Sequence, residues 1–346
     1  LRAAAGYGAA ALVRPPSEGL RGVYGSLLFA LPPRALEMRR ARPCGLPRYD
    51  VARMALLASR GELPRELVLA FHHDGVEREA LVHLPPGANA GSELPVVLNF
   101  HGFTSDALEH ADYTAMSSAA AAHGFAAVHP QGLFGWLGYR SWNAGDYWAE
   151  RTPRPPDDLG FVRELMAALS SVFTVPRWFA TGISNGGMLC YALASAMPGR
   201  FSAIAPVAAV DLSDAPLPPH PIGVFHAHGR NDGLVPHDDR VLRLASAVGG
   251  FGWKRTARES LLRFATRSEG ATHHLATNKT RTYETWRSPD GSVATWVLHR
   301  GGHTWLGDGV HIGRQRAAVA DGSREIAEFF RDQARVASFA GHHAVP

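Results

Sequence analysis

Cysteine is nearly missing from this sequence: 346 residues contain two, Cys44 and Cys190. One lies in the N-terminal stretch and the other just after a Gly-rich turn, so a disulfide framework is excluded and two free thiols are expected. Also missing is any run of about eighteen apolar residues, the length a membrane-spanning helix needs. Apolar patches such as Val96–Phe100 and Phe125–Val128 have strand length. No membrane partner is therefore expected. Lysine is scarce, and the basic charge sits at one end. Residues 1–60 hold ten Arg, no Lys and three acids (Glu18, Glu37, Asp50), about +7; the whole chain is +4, which leaves about −3 for residues 61–346. A folded basic face, which nucleic-acid binding needs, is not expected. The chain opens on Leu1 rather than Met, so it reads as a fragment or a processed form, and no leader can be read from it.

What is present begins with an ordinary apolar content, 46%, enough for a sizeable core. Residues 1–62 mix Gly, Pro, Ala and Arg without a sustained period and read as an irregular basic arm of low order, punctuated by Pro15-Pro16 and Pro32-Pro33. A short helix over 34–40 or 49–59 fits the pattern. Residues 63–336 read as one catalytic domain and 337–346 as a tail. Within the domain, Asp74-Gly75 separates two apolar-rich runs as a hairpin turn does. Short apolar strands then alternate with helical stretches: Pro95–Phe100, a helix over Tyr113–Ala122, Phe125–His129, a helix from Asp157 to about Phe173, Arg177–Thr181, a helix over Asn185–Ala196, Ala203–Ala208 and Ile222–Ala227. A helix over Ser260–Ser268, a hairpin of Thr282–Trp286 with Ser292–His299 and a closing amphipathic helix over Gly322–Ala334 complete the pattern. It predicts an α/β fold with a mostly parallel sheet covered on both faces.

One string carries chemistry more specifically than the rest. Gly182-Ile183-Ser184-Asn185-Gly186 matches G-x-S-x-G and falls between a predicted strand and a predicted helix, where a nucleophile elbow belongs. The turn is so tight that glycines must flank the serine, and the helix N-terminus beneath it favours a developing oxyanion. A nucleophilic serine needs a base, and the base needs an orienting carboxylate, in the chain order Ser, acid, His. Asp232 follows the strand Ile222–Ala227, and His303 follows Ser292–His299 between small residues and Trp305. His226, His228 and His299 compete with His303 as base, and Asp238 and Asp239 with Asp232. The oxyanion hole would draw on the backbone N–H of Asn185 and of Phe103, in the loop after Pro95–Phe100. An aromatic loop with Trp136, Tyr139, Trp142, Tyr147 and Trp148, and Trp305 beside the base, would line a substrate cleft; Trp142, Trp148 and Trp305 are the expected substrate-binding residues. Nothing in the pattern calls for a metal or a cofactor.

Several of these segments together resemble the polyhydroxybutyrate depolymerase and feruloyl esterase family. They are Thr181-Gly182-Ile183-Ser184-Asn185-Gly186-Gly187-Met188, continuing through Pro198 and Phe201 to Ala205-Pro206-Val207-Ala208; His228-Gly229 with Asp232 and Val235-Pro236; and Gly301-Gly302-His303-Thr304-Trp305. Trp142-Asn143-Ala144-Gly145 and Asp157-Asp158 with Gly160-Phe161 also match. The resemblance spans about Glu66 to Phe330. It implies an α/β-hydrolase fold, a Ser184–His303–Asp232 triad and hydrolysis, through an acyl-enzyme, of small or polymeric esters: polyester, short hydroxyacyl, feruloyl or acetyl. It also implies an extracellular protein. Where family members often carry Cys after the Trp-Asn-Ala-Gly motif, this chain has Asp146, Tyr147 and Trp148, which removes a disulfide and argues against secretion. Leu306 replaces a usual Pro, and residues 249–292 depart from the family. A serine peptidase of the same fold and a non-catalytic polymer- or carbohydrate-binding relative are the competing readings. Nothing in the sequence indicates an oligomeric state.

Overall fold

The computed structural model describes residues 45–135, 138–145, 154–219, 222–239, 242, 253–265, 270–289, 292–306 and 316–336. Residues 1–44 of the arm, the tail 337–346, and Trp136, Tyr147 and Trp148 of the aromatic loop lie outside them.

The chain enters through strand β1 (Arg48–Tyr49) and helix α1 (Val51–Ser59), whose N-cap Asp50 accepts from the Arg53 amide. Met54, Leu57 and Ala58, one stripe of the helix, are buried, and β1 pairs in parallel with the next strand. This corrects the expected boundary of the arm at residue 62. The mixed composition of 45–62 hides three apolar residues at helical spacing, which suffice to dock the segment on the domain.

Strands β2 (Glu66–His73) and β3 (Val76–His83) form the hairpin expected around Asp74-Gly75, both of which have positive φ, as a type I′ turn requires. Then follow β4 (Val96–Phe100), α2 (Ala107–Thr114), α3 (Met116–Ala121), β5 (Ala126–Pro130), the small hairpin β6 (Leu133–Phe134) and β7 (Arg140–Ser141), and α4 (Asp158–Ser170). The single helix expected over 113–122 is instead two helices broken at Ala115, which adopts φ 52°. Thr114, the last residue before the break, donates its hydroxyl to the His110 carbonyl and accepts from the buried Asn99 amide. The second half contains β8 (Trp178–Ile183), α5 (Asn185–Ala196), β9 (Ala203–Val207), β10 (Gly223–Gly229), α6 (Ala257–Ala265), β11 (Thr272–Thr277), β12 (Arg281–Arg287), β13 (Val293–His299) and α7 (Arg316–Val336).

Eleven strands form one sheet in the order β1-β2-β3-β5-β4-β8-β9-β10-β13-β12-β11. Its centre, from β5 to β13, is parallel; β2-β3, β3-β5, β13-β12 and β12-β11 are antiparallel. Strands β4, β5, β8, β9 and β10 are buried at every position, which explains why they read as continuous apolar runs rather than alternating ones. Alternate residues feed two cores. Val96, Leu98, Ala180 and Val224 join Met54, Phe161, Leu189 and Leu261 on one face; Val97, Phe179 and Phe225 join Met116, Ile326 and Phe330 on the other. The chain leaves β4 toward β5 on one side and leaves β8 toward β9 on the other. That reversal opens a crevice at the C-terminal ends of β4 and β8, where open α/β sheets bind ligands.

Candidate active site

Ser184 stands in that crevice, at the turn from β8 into α5, with φ 55° and ψ −122°. A non-glycine residue there carries strain of about 1–3 kcal/mol and persists only where its surroundings hold it. They do so through the bond from its own amide to the Val207 carbonyl, 2.9 Å, and the bond from the Met188 amide to its carbonyl, 2.8 Å. The flanking glycines follow from contact. A Cβ on Gly182 would lie 2.7 Å from the Phe100 carbonyl oxygen, and one on Gly186 would overlap the same carbonyl.

The loop after β4 lies against this turn: a Cβ on Gly102 would stand 3.7 Å from Ser184 Cβ. His101 braces the loop from inside. Its Nε2 accepts from the Gly132 amide at 3.0 Å, so Nδ1 carries the proton and donates to the Gly102 carbonyl at 2.8 Å. Burial pushes the His101 ring down to about 4 despite that bond, so it is neutral at physiological pH. On the other side, the Asn185 side chain accepts from the Trp142 amide at 2.6 Å and donates to the Trp142 carbonyl at 2.9 Å.

Asp232 follows β10. Its Oδ1 accepts from the amides of Leu234, 2.8 Å, and Val235, 3.0 Å; its Oδ2 lies 2.8 Å from His303 Nδ1 and 3.2 Å from His228 Nε2. Burial pushes the carboxyl up, but the His303 charge and the hydrogen bonds from both histidines outweigh it and hold Asp232 far below the ordinary carboxylate range. An ionised carboxylate only accepts, so His303 donates through Nδ1 and leaves Nε2 to accept a proton. The Asp232 and His303 loops are stitched together by bonds from Arg230 N to His299 O (2.7 Å), Asn231 N to Gly301 O (3.0 Å) and Asn231 Nδ2 to Arg300 O (2.9 Å).

The competitors for base and acid are placed differently. His226 and His228 are fully buried, with both ring nitrogens facing internal partners. His299 is also buried, and its Nδ1 accepts from the Gly301 amide. Asp238 and Asp239 are exposed, and Asp238 faces His237 at 3.2 Å.

The aromatic expectation needs correction. Trp142 is 1% exposed, with its indole N–H on the His101 carbonyl, and Trp305 is 0% exposed, with its indole N–H on the Ser323 hydroxyl. Both are packing residues with no face to offer a substrate, because each ring found a buried acceptor. Trp148 lies outside the described residues. The sequence reading missed His101 and the side-chain role of Asn185; the His-Gly pair at the end of β4 was the available signal for the first. Among the described residues, no group of three His, Cys, Asp or Glu side chains could hold a metal ion, and no helix is long and apolar enough to cross a membrane.

A mostly parallel sheet, covered on both faces, that presents a serine in a strained strand-to-helix turn is the architecture of an α/β-hydrolase. The chain belongs to the family described as "Putative esterase", which it matches over residues 74–305. It is 29% identical over 296 residues to "Putative esterase NocK" of Nocardia uniformis subsp. tsuyamanensis, an alignment covering 80% of this chain and 83% of that one. It is 24% identical over 163 residues to the "Bifunctional acetylxylan esterase/xylanase XynS20E" of Neocallimastix patriciarum, covering 46% of this chain and 22% of the relative. Among solved structures, the acetyl xylan esterase from Aspergillus awamori aligns with a TM-score of 0.48 at 14% identity, over 73% of this chain and 94% of that one.

Proposed function

We propose that Ser184, His303 and Asp232 act as a catalytic triad that hydrolyses short-chain carboxylic esters carried on small or polymeric alcohols. The observation that carries the reading is the 2.8 Å contact of His303 Nδ1 with Asp232 Oδ2, in an enzyme whose elbow serine has left-handed φ. In the reaction, Ser184 Oγ attacks the acyl carbon while its proton passes to His303 Nε2. The backbone N–H groups of Asn185 and Phe103 receive the negative charge that develops on the carbonyl oxygen. Collapse of the tetrahedral intermediate expels the alcohol, which takes the proton from His303. Water then attacks the acyl-enzyme, giving its proton to His303, and releases the acid and Ser184. Asp232 keeps the ring in the required tautomer and stabilises the imidazolium without itself taking a proton.

Acetyl esters head the substrate list, supported by the relative whose name includes acetylxylan esterase; feruloyl, hydroxyacyl and polyester substrates are the other classes implied by the motifs. Extracellular action rests on the same resemblance and is checked by fractionating the source cells. The enzymatic test is hydrolysis of p-nitrophenyl acetate, p-nitrophenyl butyrate and methyl ferulate by the wild type and Ser184→Ala. The variant should lose on the order of 10⁴–10⁶ in kcat with its fold intact, and a fluorophosphonate should label Ser184 alone. Label on another residue would refute the assignment.

A further inference from the structure

Strand β10 carries two histidines that the mechanism above does not use. Alternation along the strand puts His226 and His228 on the same face as Val224, the face whose core includes residues of both α5 and α6. Tyr191 of α5 meets them there. Its hydroxyl lies 2.7 Å from His226 Nδ1, His226 Nε2 lies 3.2 Å from His228 Nδ1, and His228 Nε2 lies 3.2 Å from both Asp232 Oδ2 and the Val235 carbonyl. Tyr191, His226 and His228 are all fully buried. Trp296 packs on both rings, with centroids 5.0 Å from His226 and 5.9 Å from His228.

The protons of this chain can be placed by elimination. A carboxylate and a carbonyl only accept, so His228 Nε2 must carry a hydrogen. In a neutral His228 the Nδ1 is then bare and accepts from His226 Nε2–H. His226 Nδ1 is bare in turn and accepts the Tyr191 hydroxyl proton. Burial keeps Tyr191 protonated by pushing its phenol up, and keeps His226 neutral by pushing its ring down. Asp232 then faces four donors, two on each oxygen, with the single His228 N–H shared between Oδ2 and the Val235 carbonyl.

We propose that Tyr191, His226 and His228 form a one-way chain of hydrogen-bond donors ending on Asp232, and that His228 is a positioning residue that fixes the carboxylate oxygen facing His303. The inference rests on the triad reading. Two backbone amides hold Oδ1. His228 and His303 hold Oδ2 from opposite partners, so the carboxylate cannot swing away when His303 releases and regains its proton. Neutral donors in a dry interior carry no reorganisation cost during turnover.

Nitrogen-15 spectra of histidine-labelled wild type test the polarity directly. Both His226 and His228 should carry hydrogen on Nε2 and none on Nδ1; an Nδ1–H form at either would overturn the chain. The functional test compares His228→Leu, His228→Gln, Tyr191→Phe, Ser184→Ala and His303→Gln with p-nitrophenyl acetate. His228→Leu should lower kcat by on the order of ten- to a hundred-fold, the range seen when partners behind metal-ligating histidines are removed, with KM little changed. The low-field proton resonance of the His303–Asp232 bond should shift with it. His228→Gln keeps a donor toward Asp232 and should recover most of kcat and the resonance. If His228→Leu does not fold, Tyr191→Phe decides, since it removes one hydroxyl and keeps the ring on Phe264: His226 should show mixed tautomers and kcat should fall severalfold, and unchanged spectra and rate would overturn the proposal. Wild-type kcat and resonance in His228→Leu, with Ser184→Ala and His303→Gln inactive, would remove the chain and leave the triad. An active His303→Gln would remove both.

Discussion

The side-chain amide of Asn185 exchanges two hydrogen bonds with the backbone of Trp142, 2.6 Å and 2.9 Å long. Asn185 is fully buried and is the first residue of α5, directly after Ser184. The pair ties the helix end that would hold the oxyanion to the loop beside it. Trp142 is in turn fixed through its indole on the His101 carbonyl.

Asn185→Leu keeps the side-chain size and the helix but leaves the buried Trp142 amide unpaired, while the Trp142 carbonyl keeps its bond from the Ala144 amide, 3.0 Å. An unpaired buried amide costs about 1–3 kcal/mol, so urea denaturation should show a loss of that order. In the protein that remains folded, kcat should fall more than KM rises, because the proposed Asn185 N–H donor moves with its helix end. Unchanged stability and rate would show that the clamp is incidental.

Two glycines near Ser184 should respond in opposite ways. Gly186→Ala drives a Cβ into the carbonyls of Phe100 and His101, and the protein should fail to accumulate in soluble form. For Gly102→Ala the tightest contacts are Ile183 Cγ2 at 3.3 Å and Ile183 O at 3.4 Å, which a small shift relieves. It should fold with a loss of about 1 kcal/mol or less. That same shift displaces the loop offering the Phe103 amide, and kcat should drop by up to about 10²–10³, the cost of one oxyanion donor. Wild-type kcat in a folded Gly102→Ala would remove this loop from the oxyanion hole.

Much of the fold is legible in the sequence because the central strands are buried on both faces and so read as short apolar runs. The elbow is legible because its glycines are forced by contact with the Phe100 carbonyl. Asp232 and His303 stand out by lying just past strand ends. Other parts are obscured for identifiable reasons. β11 is exposed at every position and shows no alternation to read. Trp142 and Trp305 look like cleft residues by type; the acceptors that bury their indoles come from residues 41 positions earlier and 18 later. His226 and His228 look like rival bases, and only their shared inward face on β10 shows that their nitrogens are occupied.

Truncation should locate the boundary that composition misplaces. A chain beginning at Gly45 keeps β1 and α1 and should be soluble and active. One beginning at Gly61 loses the buried Met54, Leu57 and Ala58, of which each large side chain contributes roughly 1.5–3 kcal/mol. It also loses the ion pair of Arg48 with Glu77, 2.6 Å, and bares the edge of β2, an invitation to aggregate. Expression and size-exclusion chromatography of the two chains check this; a soluble, active chain starting at Gly61 would show that β1 and α1 are dispensable.

Acid should unfold this protein through its buried histidines before its carboxylates. Burial pushes His101 down to about 4 and, together with the nearby His101, pushes His110 down to about 3. His129 and His226 are pushed well below the usual value by burial and by neighbouring histidines. In the unfolded chain each titrates near about 6.5. A histidine whose folded value is depressed stabilises the fold fully above its unfolded value, and that contribution is lost as pH falls through about 6.5 toward the folded value. Each contributes a slope of up to about 1.4 kcal/mol per pH unit, so the four together should approach about 5 kcal/mol per unit near pH 5. Asp232 acts in the same direction but lower: its depressed carboxyl stabilises the fold above about 3.9 and ceases to do so below. Urea midpoints measured from pH 8 to pH 5 should therefore fall steeply below about pH 6.5, with several protons taken up on unfolding. A flat stability profile between pH 7 and pH 5 would mean that these histidines are already protonated in the folded protein or have water at their rings.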